Sequence, residues 1–106
     1  METNESLVRA LVDEVPALRP TLEEHLDDNF RTLLPYLFLA DVARWINAHH
    51  DEDEVSSRRI VDFLERQYSD AHHQGTRDLI GAGFLESVDV DSYLFNMLGP
   101  ILKSAF

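Results

Sequence analysis

The sequence has no cysteine among its 106 residues, and its basic residues are few. Without cysteine the chain can form neither a disulfide framework nor a thiolate metal site. Nine bases stand against twenty acids, which gives a formal net charge of −11, and Lys103 is the only lysine. Such a surface repels nucleic acid phosphates and anionic membranes, so we expect neither as a partner.

Long apolar runs and targeting signals are also missing. No run approaches the ~20 residues of a membrane span, and the acidic N-terminus lacks the basic start and apolar stretch of a signal peptide. We therefore expect a cytoplasmic location by default. The length predicts a single domain over residues 1–106, and the hydrophobic content of 44% suffices for one modest core.

The apolar pattern predicts an all-α bundle of five or six helices, because no segment alternates cleanly between apolar and polar residues. The first helix is predicted over about 5–14, with Asn4 as its cap. The second is predicted over about 21–29, where Thr21 followed by Glu24 has the spacing of a capping box. The residues expected to face the core on these helices are Leu7, Val8, Leu11, Val12, Val15, Leu22 and Leu26.

The third helix, predicted over 35–49, has apolar residues on nearly all of its sides, which is typical of a central, buried helix. Pro35 suits its first turn, where a missing N–H costs nothing. We expect Trp45 to be largely buried in contact with one of three aromatic residues, Phe38, Phe63 or Phe84.

Three further helical segments are predicted, over about 52–68, within 71–88, and from a cap at Asp91. The chain then breaks at Gly99-Pro100 before a last turn. The stretch "GAG", Gly81 to Gly83, follows no strand and lacks the third glycine of a dinucleotide loop. Since glycine weakens a helix, we interpret these glycines as the site of a close helix crossing.

The stretch "NAHHDEDE", residues 47–54, sets two histidines against four acids. One interpretation is a hinge between helices, with His49 and His50 at a helix C-terminus and Asp51 capping the next helix, Glu54 completing the box. The alternative is a metal site. Adjacent histidines point ~100° apart on a helix, and His72 and His73 lie one helix length away, ~25 Å. We therefore predict no bound metal and no cofactor.

Two polar residues interrupt the apolar third helix. Asp41 and Arg44 are three apart and can pair across one turn. They either fix the packing register or form a polar notch, beside Trp45, in a groove that receives a partner. Asp41 and Glu86 could be paired carboxylates for acid–base catalysis, but nothing in the sequence brings them together. No arrangement of residues suggests a nucleophile, so we do not expect an enzyme.

Clustered acids on the second helix and at the start of the fourth favour a basic protein partner. The alternative is that they only keep a small domain in solution. Together with the notch, they give the predicted partner-binding residues: Glu23, Glu24, Asp27, Asp28, Asp41, Arg44, Trp45, Asp51, Glu52, Asp53 and Glu54.

Two stretches, "LLPYLFLADVARWINAHH" (33–50) and "TRDLIGAGFLESV" (76–88), resemble a family of small, uncharacterised, all-helical bacterial domains. The matching residues are Leu34, Pro35, Phe38, Asp41, Val42 and Trp45, then Arg77, Leu79, Ile80, Phe84, Leu85 and Glu86. The resemblance covers about 7–98 and implies the fold, without an established activity.

By analogy, small acidic helical proteins of this character are similar to immunity proteins that neutralise bacterial toxins. We therefore expect a non-enzymatic protein-binding domain of the immunity type. Two alternatives stay open: a small metal-dependent or acid–base enzyme that uses the histidines or Asp41 and Glu86, and a structural interaction module of a larger assembly.

Overall fold

The computed structural model describes residues 4–70, 74–89 and 91–105, and within these the chain forms helices and turns but no strand. The predicted all-α architecture is confirmed. The helices are α1 (Asn4–Glu14), α2 (Arg19–Asp28), α3 (Pro35–His49), α4 (Glu54–Ser69), α5 (Gln74–Leu79), α6 (Tyr93–Met97) and α7 (Pro100–Ala105). The Cα radius of gyration is 12.7 Å, close to the ~13 Å of a folded domain of about 100 residues.

The central position of α3 is confirmed, and its bounds agree with the predicted ones. It packs against α1, α2, α4, α6 and the helical turns over 80–87 that follow α5. None of the helices in the described segments is long and apolar enough to cross a membrane. The residues that α3 buries completely are Phe38, Leu39, Val42, Ala43 and Ile46.

One flank of α3 is not covered, which differs from the expectation of a helix buried nearly all round. Leu34, just before α3, is 41% exposed and Leu37 is 46% exposed. Trp45 is partly buried at the margin of the core rather than deep within it. For Leu37 and Trp45 the reason is that both line an open groove between α2 and α3, where they meet solvent.

The chain after α5 stays helical but changes pitch, through a π-helical turn over Ile80–Phe84 and a 3₁₀ turn over Leu85–Ser87. The wider π turn, which the sequence did not predict, brings Gly83 against α3. A Cβ on Gly83 would lie 3.1 Å from the Tyr36 carbonyl oxygen and 3.2 Å from the Leu39 Cβ. The predicted close crossing is confirmed at Gly83, whereas a Cβ on Gly81 would meet nothing within 4 Å.

Several predicted caps are wrong. Asn4 is already part of α1. Thr21 lies inside α2, because a 3₁₀ turn over Pro16–Leu18 runs directly into that helix and leaves no extended capping residue before Thr21. Ser92 rather than Asp91 caps α6, since the Ser92 hydroxyl accepts a backbone N–H of the first turn at 3.2 Å. Helix positions were thus predicted better than helix ends.

Candidate functional site

The groove between α2 and α3 has a volume of about 480 Å³ and is the candidate functional site. It collects residues that the sequence separates widely, which are Glu24, His25 and Asp28 from α2 and Asp41, Arg44 and Trp45 from α3. Five of these six were predicted as partner-binding residues. His25 was not.

His25 forms the floor of the groove and is only 3% exposed. Its Nε2 accepts the backbone N–H of Leu34 at 3.1 Å. Because an amide N–H can only donate, Nε2 carries no proton, and the neutral ring has its proton on Nδ1. Nδ1 then donates to Asp41 Oδ2 at 3.1 Å, while Phe38 contacts the ring edge-on at 5.5 Å between centroids. His25 therefore fastens α2 to α3.

Sequence reasoning missed His25 because the surrounding "EEHLDD" was interpreted as an acidic, solvated face. A signal was available. His25 follows Leu22 by three residues and immediately precedes Leu26, so it lies on the same stripe as the two leucines that face the core. A histidine on such a stripe can be buried without cost when both ring nitrogens are hydrogen-bonded.

The predicted pair of Asp41 and Arg44 is confirmed, and both oxygens of Asp41 are occupied. Oδ2 accepts from His25 and Oδ1 accepts from the Arg44 guanidinium. The Asp41 side chain is 25% exposed and that of Arg44 is 65% exposed. The carboxylate is thus fixed in the floor of the groove, and the guanidinium stands at its rim.

An aromatic wall closes the α3 side of the groove. The rings of Trp45 and His49 stack at 4.8 Å with an interplanar angle of 19°. His49 Nδ1 donates to the Trp45 carbonyl oxygen at 3.0 Å, which holds the imidazole against the indole. Trp45 is the only tryptophan in the chain, so its fluorescence reports on this groove.

The four acids of α2 divide into two pairs. Arg31 Nη1 donates to Glu23 Oε2 at 3.1 Å and to Asp27 Oδ1 at 2.8 Å, and the bonds to these two carboxylates raise the pKa of Arg31. Glu23 and Asp27 are called the Arg31 pair. Glu24 and Asp28, the groove pair, line the groove and have no ion-pair partner among the described residues.

The junction between α2 and α3 holds the only non-glycine residues with positive φ among those described, Phe30 (φ 56°) and Arg31 (φ 61°). This left-handed conformation costs roughly 1–2 kcal/mol for a residue with a side chain. It closes the end of α2, since the Arg31 N–H reaches the Leu26 carbonyl at 2.6 Å and the Asn29 side chain donates to the His25 carbonyl at 2.7 Å. Phe30 is left 95% exposed.

The second acidic group, residues 51–54, follows α3. The sequence predicted Asp51 as the cap of α4, and this prediction is wrong. The cap is Asp53, whose carboxylate accepts the Ser56 backbone N–H at 3.0 Å. This bond lowers the pKa of Asp53. Asp51 cannot cap, because the N–H groups of Glu52 and Asp53 bond to the His49 carbonyl at 3.0 and 2.8 Å and keep residue 51 in the turn that closes α3.

The remaining acids of this group are also placed for local structure more than for binding. Glu54 accepts from Arg58 Nε at 2.7 Å. Asp51 is exposed, with its carboxylate 3.1 Å from His50 Nδ1. Only the Glu52 carboxylate has neither an ion-pair nor a hydrogen-bond partner among the described residues. None of the predicted residues Asp51 to Glu54 lines the α2/α3 groove, so the two acidic groups are not equivalent.

The histidines of the hinge point to different neighbours. His49 stacks on Trp45, whereas His50 stacks on Tyr93 at 4.1 Å between centroids. Among residues 4–70, 74–89 and 91–105, no three metal-binding side chains lie close enough to hold an ion. His72 and His73 lie outside the described residues. That the two histidine pairs bind no metal therefore stays a prediction.

The two carboxylates of the acid–base alternative lie in different places. Asp41 lines the groove between α2 and α3. Glu86 lines a separate cavity of about 540 Å³ together with Tyr68 and Arg77. The described structure therefore does not bring Asp41 and Glu86 together as an acid–base pair.

Comparison with known proteins places the chain in a family. The family described as a domain of unknown function, DUF7674, matches residues 8–106, and the chain belongs to this family. No curated protein and no solved structure gives a match. The family agrees with the predicted resemblance to an uncharacterised domain, and it brings no activity or partner with it.

Proposed function

We propose that this member of the DUF7674 family is a non-enzymatic domain that binds a basic protein through the groove between α2 and α3. The observation that carries the proposal is the groove pair, Glu24 and Asp28, which lies on the α2 wall with no ion-pair partner in the described part of the chain, while Trp45 lies on the α3 wall. A guanidinium or ammonium group that enters here gains charge-assisted hydrogen bonds from the carboxylates and contacts the partly exposed Trp45.

The charge of the whole chain supports the same choice of partner. A net charge of −11 attracts a basic protein over a distance set by the salt concentration and speeds their encounter. The floor of the groove adds no competing positive charge from His25, because the Leu34 N–H requires an unprotonated Nε2. Arg44 is the cation at the rim, and Asp41 already neutralises it.

The specific form that we propose is a cytoplasmic, toxin-neutralising protein of the immunity type. Its support is physical: a small acidic domain can mask the cationic surface of a toxin by complementary charge alone, without a cofactor. Co-expression with the product of a neighbouring gene tests this form. Rescue of growth from a basic toxin is the expected result, and a neighbouring set of metabolic genes with no toxic product contradicts the immunity role.

The broader proposal is tested by affinity capture from a lysate of the source organism, followed by association kinetics with the purified partner. We expect one basic protein whose association rate falls steeply with salt, since exposed charges are screened over ~10 Å at 0.1 M ionic strength. Reversal of the groove pair, Glu24→Lys with Asp28→Lys, should lower the association rate and reduce the yield of capture.

A matched control separates this groove from net charge. Asp13→Lys with Glu52→Lys makes the same change in charge at two exposed acids that lie outside the groove and have no ion-pair partner among the described residues. We expect the control to retain most of the binding. Equal losses in both variants, or unchanged capture by the groove variant, would show that the groove is not the binding site.

A further inference from the structure

We propose that the partner element bound in this groove is an amphipathic basic helix, and that Phe30 is the apolar anchor on which it docks. The inference rests on the proposed function and goes beyond it, since it states the shape and the second chemical requirement of the partner. The groove supplies the acids, and the adjoining junction and the start of α3 supply three exposed apolar side chains, Phe30, Leu34 and Leu37, which the partner covers as one apolar patch.

Phe30 is held in solvent by the backbone rather than left there by a loose loop. It is 95% exposed, yet the residues on both sides of it are fixed. Asn29 donates to the last turn of α2, and the Arg31 N–H bonds to Leu26 while its guanidinium bonds to α2 acids. Glycine is the usual residue at such a left-handed helix end, so a phenylalanine here is not explained by the local fold.

Along the chain from Phe30 towards the groove, further exposed apolar side chains follow at Leu34 and Leu37. The Leu34 N–H is bonded to the buried His25, which fixes this residue while its side chain stays 41% exposed. Leu37 is 46% exposed and lines the groove. From Leu37 to Trp45 the axis of α3 rises about 12 Å, which equals about two turns of an apposed helix.

A helix of two to three turns therefore matches the length of this surface. Its apolar side chains cover Phe30, Leu34 and Leu37 at one end. An arginine or lysine further along reaches the groove pair and the partly exposed Trp45. This is the arrangement by which amphipathic helices dock in grooves, with anchors spaced by three, four and seven residues.

A second copy of the chain is the competing occupant, and its charge argues against it. Each copy carries a net charge of −11, and pairing the patches would bring the acids of two α2 helices towards each other. Like charges across an interface oppose association. A basic partner removes this repulsion and satisfies Glu24 and Asp28 at the same time.

Three synthetic peptides that contain no tryptophan test this inference. Their binding to the protein is measured by the change in Trp45 fluorescence and by shifts of the amide NMR signals. One has leucine on one helical face and arginine on the other, the second is a scramble of the same composition, and the third replaces leucine by alanine. We expect the amphipathic peptide to bind the wild type about tenfold tighter than either control.

Phe30→Gly provides the matched variant. Glycine suits the positive φ at this position, so the melting temperature should stay the same or rise while affinity for the amphipathic peptide falls about tenfold. Phe30→Asn, which also tolerates this backbone, should lose affinity in the same way. An alanine-faced peptide should not distinguish these variants from the wild type.

Each other outcome contradicts the inference at a separate point. If Phe30→Gly binds like the wild type while Glu24→Gln with Asp28→Asn loses affinity, the anchor is wrong and the acidic groove stands. If neither variant loses affinity, both proposals fail. If no peptide binds, the proposal of a helical partner is wrong. Whether the groove binds a basic protein is then decided by the capture experiment with the groove variant. If the wild type sediments as a dimer that Phe30→Gly dissociates, the occupant is a second copy.

Discussion

The two sides of α3 show different principles of construction. Towards the helical turns over 80–87, Gly83 lies so close to α3 that a single methyl group would touch the Tyr36 carbonyl and Leu39. Towards α2, the helices enclose open space lined by His25, Asp41 and Trp45. One side has close-packed apolar contacts, and the other has hydrogen-bonded polar groups beside a cavity.

The difference fits our proposal that one side of α3 serves stability and the other serves binding of a partner. Close packing on the first side is what a small domain needs from its core. On the second side, a 95% exposed Phe30 in a left-handed conformation and two carboxylates with no ion-pair partner among the described residues add nothing evident to stability. Residues that the fold does not require are expected at binding sites, where function opposes optimal stability.

The largest expected effect contrasts Phe38 with Trp45, which lie on the same helix. Phe38 is completely buried, so Phe38→Ala should lower the free energy of unfolding by about 3–5 kcal/mol. Trp45 is at the margin of the core, so Trp45→Ala should cost roughly half as much. Chemical denaturation of both variants measures the contrast. Equal losses would mean that the groove wall belongs to the core.

The next effect contrasts the two glycines of "GAG". Gly83→Ala should destabilise the protein by about 1–3 kcal/mol, because the contacted Tyr36 oxygen belongs to the backbone of α3 and cannot move easily. Gly81→Ala meets nothing within 4 Å and should be neutral or stabilising by up to about 1 kcal/mol. Thermal melts of the two variants decide, and a tolerated Gly83→Ala would show that the crossing is loose.

The smallest effect concerns Asp53, which represents the acidic group that serves local structure. Its pKa is lowered in the folded state by the hydrogen bond from the Ser56 N–H. The stabilisation is therefore present above the ordinary aspartate pKa and is lost as the pH falls through the lower folded value. Asp53→Ala should melt below the wild type at neutral pH, and the difference should shrink in acid.

The affinity of the Asp53→Ala variant for the basic partner is the second measurement. Asp53→Ala should bind the basic partner as the wild type does, since Asp53 does not line the groove. A melting difference that is independent of pH would contradict the capping role. A loss of binding would return the second acidic group to the candidate site.

Much of the fold could be predicted from the sequence, because helix periodicity is a local signal. The bounds of α3 and the crossing at Gly83 follow from apolar spacing and from the cost of glycine in a helix. Helix ends were harder. Asp51 and Asp53 both have capping side chains for α4, as Asp91 and Ser92 have for α6, and the choice within each pair depends on how the preceding turn closes, which is set by tertiary structure.

The candidate site was predicted in part for the same reason. Asp41, Arg44 and Trp45 share one helix, so their spacing reveals the notch. The pairing of His25 with Asp41 joins two helices and has no local signal. Nor does sequence spacing show that Arg31 turns back to neutralise Glu23 and Asp27, because this requires two consecutive left-handed residues without glycine.

The two pairs of acids on α2 differ in that Arg31 binds one of them, and affinity for the basic partner measures whether this difference decides binding. Glu24→Gln with Asp28→Asn and Glu23→Gln with Asp27→Asn remove the same charge from one helix, and binding is measured for both at one salt concentration. We expect a loss of about tenfold or more for the groove pair, and a much smaller loss for the Arg31 pair, whose charge Arg31 already offsets in part. Equal losses would mean that net charge alone attracts the partner, and would contradict a built site in the groove.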